Sequence, residues 1–567
     1  MAALTWAMNW LDTSVLLLYL VGITAVGIWV GYRRNASSEQ YFLASKSLGW
    51  FSIGAAMFAS NISTIHLVGL AASGANEGIV IGNFEWMAAF CLIVLGLAFA
   101  PFYFKSGITT LPEFLEKRYG RGARTFLAVI SIMGALLVHI GISMYAAAEV
   151  FESFLGIGKM TSILAISAIT LLYTVLGGLK AVVVTETIQT VLLLGGAILL
   201  LILGINYLPD AGITNFAALK AAVKPDQLSI LHPIHNAQGN LSSYSWLAVL
   251  LGYPILGIWY WCSDQTIVQR VLGANTQRNA QLGPLFAGFL KILPLFLLVF
   301  PGVIGYIMFK NNALTLPIGE NGPEYNKVLP EMIKVLIPPG LKGLMAAGML
   351  AALMSTIASA LNSCATVISL DIVKQMRPKT TEAQQVFVGR VSTGVVMVLA
   401  MLWSTQGGQF GTIFEAINKI PMTFAPAVTT IFLFGVFWKR GTRQAAMTTL
   451  YVGSIIGLVY FVFDMPVVGK MILGGTAKAG FSGLVSDAAQ GWGIPFMLVG
   501  PIISALCIVI YIVTSLATPA MDKELVAKVC WDHPLAFLKG RITGISDPRI
   551  VALILALVVG LFYYLLR

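Results

Sequence analysis

Residues 55–70 read AAMFASNISTIHLVGL and place Ser60, Asn61, Ser63, Thr64 and His66 within seven residues of an otherwise apolar run. An unbroken helix at bilayer depth does not carry such a cluster unless it opens to line a polar cavity. An unwound stretch frees backbone carbonyls, which with neighbouring hydroxyls are the hard oxygen ligands a small cation needs. Asn and His suit a polar organic solute. The segment reads as a binding site.

Two further stretches carry chemistry. GYPILGIWYWCSDQ (252–265) holds Gly252, Pro254 and Gly257 ahead of Tyr260 and Trp261, and predicts a second interrupted helix. In 346–372, Ala352, Ser355, Thr356, Ser359 and Ser363 share one small, hydroxyl-bearing helix face. Small faces also serve close helix packing in membranes. A cation held by carbonyls of the first break still needs about two more oxygens, however, and Ser355 and Thr356 offer adjacent ones.

Glu85, Glu186 and Lys291 are ionisable residues inside apolar runs. Each requires a partner or a wet cavity, because an unpaired buried charge costs several kcal/mol. Glu85 and Lys291 read either as a structural pair or as acceptor and donor to solute hydroxyls. Glu186 lies near a helix end, where snorkelling to water is the alternative. His139, mid-span, reads as a core or cavity histidine, with no other ligand at metal-coordinating spacing.

These residues need a membrane-embedded frame. The chain of 567 residues is 57% hydrophobic and 10% charged, which excludes a soluble multidomain enzyme. Apolar runs long enough to cross a bilayer lie near 11–31, 50–73, 79–103, 125–155, 160–177, 181–207, 244–262, 280–309, 341–373, 385–404, 412–438, 443–463, 492–515 and 548–566, fourteen spans numbered here in that order. With both termini outside, the inner loops collect most of the 35 Lys and Arg residues. That asymmetry accounts for the net charge of +11 as loops facing anionic lipid, without nucleic acid. The first span is longer than a cleaved leader's apolar core and reads as retained. The five cysteines form no disulfide or metal pattern.

The two expected breaks, in spans two and seven, stand five helices apart. That predicts an all-α polytopic membrane protein whose core is a five-plus-five inverted repeat with a site at the repeat interface. The expected division is 1–48 (an extra helix and first inner loop), 49–207 (first repeat), 208–243 (outer loop), 244–440 (second repeat) and 441–567 (three additional helices).

The stretches EQYFLASKSLGW (39–50), ASNIS with His66, GNFEWMA (82–88), LPEFLEKRYG (111–120), GGLKAVVVTETIQT (177–190), WYWCSDQTIVQR (259–270), FLKILP (289–294), LNSCATVISLDI (361–372) and FWKR (437–440) resemble the sodium/solute symporter family, within it the sodium/glucose cotransporters. The resemblance runs from about residue 12 to 460. It implies a LeuT-like fold and sodium as coupling ion, held by carbonyls of Ala59, Ile62 and Ala352 and hydroxyls of Ser355 and Thr356. The implied solute site is Asn61, Ser63, His66, Glu85, Tyr260, Trp261, Lys291 and Asn418. Tyr260 would cap the solute on the inner side, and Leu70, Phe84 and Phe414 would form a thin outer gate. Glu186 and Ser359 fall at the family's second sodium site.

Two departures stand out. Asn418 replaces a Gln one methylene longer, and Glu186 replaces Asp. The function implied is sodium-driven import of a monosaccharide across the plasma membrane. The alternatives are import of an inositol, sialic acid, amino acid or vitamin, or a solute-gated sensor or leak channel. No nucleophile, base and oxyanion constellation marks an enzyme.

Overall fold

The computed structural model describes residues 9–32, 37–156, 158–235, 239, 241–242, 244–319, 322–405, 420–464, 494 and 496–567. Among them eleven helices are long and apolar enough to cross a membrane, and Trp50–Asn61 with His66–Glu77 make a further crossing bent by 62°. One of the eleven, Lys159–Tyr207, runs 49 residues. At 1.5 Å per residue that is about 70 Å, more than twice a hydrocarbon core. It is two crossings joined at Gly178, whose φ of 59° no side chain adopts easily and where a Cβ would stand 2.6 Å from the Tyr41 carbonyl oxygen. Ala425–Phe437 is the described part of span eleven, so each of the fourteen expected spans contains a helix.

Burial separates the middle of this bundle from its edge. The apolar stretch of Leu341–Met376, span nine, is 94% buried, against 17% for the spans at either end of the chain. Small side chains along span nine, among them Ala346, Ala351, Ala352 and Ala358, let neighbouring helices approach its backbone closely. The lipid-facing spans instead present large apolar groups such as Leu18, Trp29 and Leu557.

The first break lies where the polar cluster predicts it. Helix Trp50–Asn61 ends at Ile62, whose ψ of 94° is extended, and the chain re-enters a helix at Thr64. Ser63 sits at the new N-terminus, where its backbone N–H donates to His66 Nδ1 at 3.3 Å. Thr64 Oγ1 donates to the Met349 carbonyl at 2.9 Å, tying the break to span nine. Short polar side chains that bond locally compete with the helix ladder, which explains why this sequence opens here.

The second break falls within the expected stretch 252–265, but at its far end rather than at Pro254. Helix Trp246–Ile258 continues through Pro254 into a wider turn, Trp259–Ser263, and the chain breaks at Asp264 (φ −87°, ψ 124°). Asp264 then caps Gln265–Leu272, its Oδ1 accepting from the Thr266 N–H at 2.7 Å. Gly252 and Gly257 serve close packing rather than bending. A Cβ on them would stand 2.0 Å from the Met497 carbonyl oxygen and 2.5 Å from Cys91 Sγ.

The two N- and C-terminal half-helices on one side, 50–61 and 265–272, are tied at their ends. Leu48 N–H donates to the Gly273 carbonyl at 3.0 Å, and Asn275 N–H donates to the Leu48 carbonyl at 3.1 Å. The chain reaches Leu48 through three consecutive left-handed residues, Ala44, Ser45 and Lys46, with φ of 53°, 55° and 48°. Non-glycine residues rarely adopt that conformation in series.

Candidate functional site

Spans two, three, four, seven and eight, with Thr356 of span nine and Pro421 of span eleven, line a cavity of about 120 Å³. The first break contributes Asn61, Ser63 and His66, span three contributes Phe84 and Glu85, span seven Tyr260 and Trp261, and span eight Lys291. Seven of the expected solute contacts therefore meet around one space. Asn418, the eighth, lies outside the described residues, as does Phe414 of the expected outer gate. Phe84 lines the cavity, packed edge-on to Tyr253 and Tyr244, whereas Leu70 is buried and does not line it.

The polar groups are arranged in donor and acceptor pairs with capacity to spare. Lys291 Nζ donates to Glu85 Oε2 and lies 5.5 Å from the Trp261 ring centroid. Asn61 Nδ2 donates to the Tyr260 hydroxyl at 3.1 Å, while Asn61 Oδ1 is buried with no partner among the described residues. Tyr260 and Trp261 pack edge to face at 4.9 Å, giving the cavity an aromatic wall. Such a set fits an uncharged solute bearing several hydroxyls and an apolar C–H face.

Next to Asn61 lies a cluster of oxygens. Ser355 Oγ stands 2.8 Å from the Ala59 carbonyl and 2.9 Å from that of Ala352. Thr356 Oγ1 stands 3.1 Å from the Ser60 carbonyl and 3.2 Å from Ala352. Two hydroxyl protons face three carbonyls, so the cluster has more acceptors than donors. A hard monovalent cation fits that donor set. Ile62 sits at the unwound position, and no hydrogen bond to its carbonyl brings it into the cluster.

Glu186 and Ser359 also meet, but not at a helix end open to water. Both are fully buried, and Arg270, which falls between the apolar runs of spans seven and eight, is buried with them. Arg270 Nη2 donates to Glu186 Oε1 at 2.6 Å, its Nε to Oε2 at 3.3 Å, and Nη2 also contacts Ser359 Oγ. Ser60 Oγ adds a bond of 2.9 Å to Glu186 and one of 2.7 Å to Ser359. Snorkelling is thus corrected to a compensated ion pair. The reason is the break at Asp264, which carries Arg270 inward on a half-helix rather than out into a loop.

Sequence reasoning read His139 as a core or cavity histidine and missed Asp264, Tyr253 and Ser143. His139 Nε2 lies 2.8 Å from Asp264 Oδ2, and His139, Ser143 and Tyr253 line the cavity. Correct placement of the second break was the signal that would have exposed the Asp264 carboxylate.

The Sodium:solute symporter family profile matches residues 41–453. Sodium/glucose cotransporter 4 of Danio rerio is 32% identical over 539 residues, covering 92% of this chain and 81% of that protein. Sodium/myo-inositol cotransporter 2 of Sus scrofa is 35% identical over 476 residues, covering 80% and 70%. A Na+-coupled sialic acid symporter, solved substrate-bound and outward-open, superposes with a TM-score of 0.74 over 91% of this chain and 99% of that one, at 22% identity, a likeness of fold. A five-plus-five core with broken helices, a hydroxyl-matching cavity beside a hard-oxygen cluster, and a family match over most of the length have one reading: this chain is a multi-pass membrane transporter, not an enzyme, and belongs to the sodium:solute symporter family.

Proposed function

We propose that the protein imports a monosaccharide together with sodium by alternating access. The observation that supports this best is the shared first break, which presents Asn61 to the cavity and the Ala59 and Ser60 carbonyls to the oxygen cluster. In this reading the Trp261 and Tyr260 rings take the apolar face of the sugar, Glu85 accepts and Lys291 donates to its hydroxyls, and Asn61, Ser63, His66 and Asn418 complete the set. Ala59, Ile62, Ala352, Ser355 and Thr356 hold the sodium. Cation and sugar bind cooperatively because each orders the same unwound segment.

The energetics permit accumulation. At about 100 mV one inward charge supplies ~2.3 kcal/mol, and a roughly tenfold sodium gradient adds about 1.4 kcal/mol. One sodium therefore sustains a sugar ratio of a few hundredfold. A second sodium beside Glu186 and Ser359 requires the Arg270 guanidinium to withdraw. The reading also carries the division at 49–207 and 244–440 into inverted repeats, a plasma-membrane location and both termini outside.

A second reading, import of a cyclitol, is favoured by the relatives named sodium/myo-inositol cotransporters. A ring of hydroxyls meets the same donors and acceptors. Uptake of labelled monosaccharides and myo-inositol into proteoliposomes, with and without an inward sodium gradient, separates them. Sodium-dependent accumulation of a sugar is expected. Accumulation of myo-inositol alone replaces the first reading by the second, and solute-evoked current without accumulation replaces both by a leak.

A further inference from the structure

His139 enters the cavity from span four, which supplies none of the polar groups assigned above. It sits in the wide turn Ala135–Ile142, one helical turn before Ser143, with its ring centroid 5.6 Å from that of Tyr260. The side chain is buried, and its Nε2 is held at 2.8 Å by Asp264 Oδ2. The other carboxylate oxygen is committed to the Thr266 N–H at the start of the half-helix. Asp264 thus has two fixed tasks.

The hydrogen-bond inventory sets the tautomer. An ionised carboxylate only accepts, so a neutral imidazole bonded to it through Nε2 carries its proton there. Nδ1 is then a lone-pair acceptor, and no described residue donates to it. His139 lines the cavity, and its Nδ1 is not among the buried atoms sealed off without a partner, so an acceptor open to that space is completed by a ligand or by water. The isolated nitrogen is a poor sodium ligand, and the oxygen cluster already offers a better place. A hydroxyl donor is the matching group.

Resting on the polyol reading of the cavity, we propose that His139 is a further specificity-determining residue. Its Nδ1 accepts a hydrogen bond from one hydroxyl of the transported polyol, and Asp264 is the positioning residue that fixes the tautomer. The His–Asp pair also joins span four to the second break, so the hydroxyl is read at the point where span seven opens.

The test is a side-chain by functional-group cycle. Full-length protein in proteoliposomes is assayed for competitive inhibition of sodium-dependent uptake by the parent solute and by its deoxy and deoxyfluoro analogues at each ring position. Fluorine accepts weakly but cannot donate. At one position both analogues are expected to bind roughly three- to tenfold more weakly than the parent, the range for a single hydrogen bond. In His139→Phe that position's penalty collapses toward unity while the others persist. In Asp264→Asn the side-chain amide donates to Nε2, Nδ1 becomes a donor, and the fluoro analogue overtakes the deoxy analogue at that position.

Penalties unchanged at every position in both variants overturn the contact and leave His139 as wall. Should His139→Phe fail to fold, the fluoro-to-deoxy ranking in Asp264→Asn decides alone: inversion supports the contact and an unchanged ranking overturns it. Failure of the wild type to bind any sugar or inositol saturably overturns the polyol reading together with the contact, whereas saturable wild-type binding with unaltered penalties overturns only the contact.

Discussion

Two acids are each buried beside a base in the membrane interior, and they differ in how much of their bonding capacity the protein itself uses. Glu186 and Arg270 are enclosed by Ser60, Ser359 and the Thr266 carbonyl, with no exposed side-chain surface. Glu85 and Lys291 bond to each other at the cavity wall, where the carboxylate keeps free lone pairs and the ammonium keeps free protons. Identical charge types thus serve two ends. The saturated pair holds helices together, and the unsaturated pair has something left to offer a ligand.

Breaking the saturated pair is expected to have the largest effect. Arg270→Met leaves Glu186 buried without its base, a loss of about 3–5 kcal/mol, and the purified protein should melt far below wild type or fail to accumulate. Adding Glu186→Gln should restore most of the melting temperature. A double variant no more stable than the single one would mean that Arg270 matters for more than compensating this acid.

The unsaturated pair should respond differently to the same treatment. Glu85→Gln with Lys291→Met should melt near wild type yet bind solute at least roughly tenfold more weakly, because hydrogen bonds to charged groups are worth about 1.5–3 kcal/mol. Equilibrium binding alongside melting curves reads both. Near-normal affinity moves this pair into the structural class and erases the contrast.

Smaller still is the effect expected at the cation cluster. Ser355→Ala and Thr356→Ala each remove one oxygen and should lower apparent sodium affinity severalfold, with solute affinity at saturating sodium changed far less. Unchanged sodium activation of uptake in both variants places the cation elsewhere. Asn418→Gln is expected to be mildest, reordering preference among glucose, galactose and mannose by about 1 kcal/mol for one gained or lost hydrogen bond. Identical inhibition rankings would remove Asn418 from the solute site.

The spans and the first break were legible because both depend on local composition: long apolar runs, and five polar residues crowded between 60 and 66. Of the cavity wall, Asn61, His66, Glu85 and Lys291 were legible as polar groups in apolar runs, whereas the roles of Phe84, Tyr260 and Trp261 came from motif resemblance. Pro254 misled because a proline inside a membrane helix is tolerated when the helix is packed in protein, as this one is through Gly252 against Met497 and Gly257 against Cys91. Arg270 misled for a related reason. Counted as a loop charge, it is carried inward by a half-helix that begins only after Asp264, and its partner Glu186 lies 84 residues away. Neither hydropathy nor periodicity encodes such a pairing. His139 needed the same long-range knowledge, since its role depends on which carboxylate meets it.

The left-handed turn at Ala44–Lys46 and the two backbone bonds between Leu48 and the Gly273–Asn275 strand of chain have a mechanical meaning. Three strained residues persist only where the surroundings over-determine them, at a cost of about 1–2 kcal/mol each. What they lead into is a backbone link between half-helices from different halves of the molecule. Two backbone bonds pass a displacement of one segment to the other. On the proposed reading, a cation and a solute held at the first break would both bias the displacement that this link passes to the second half-helix, and the reciprocity of linkage would make each the driver of the other.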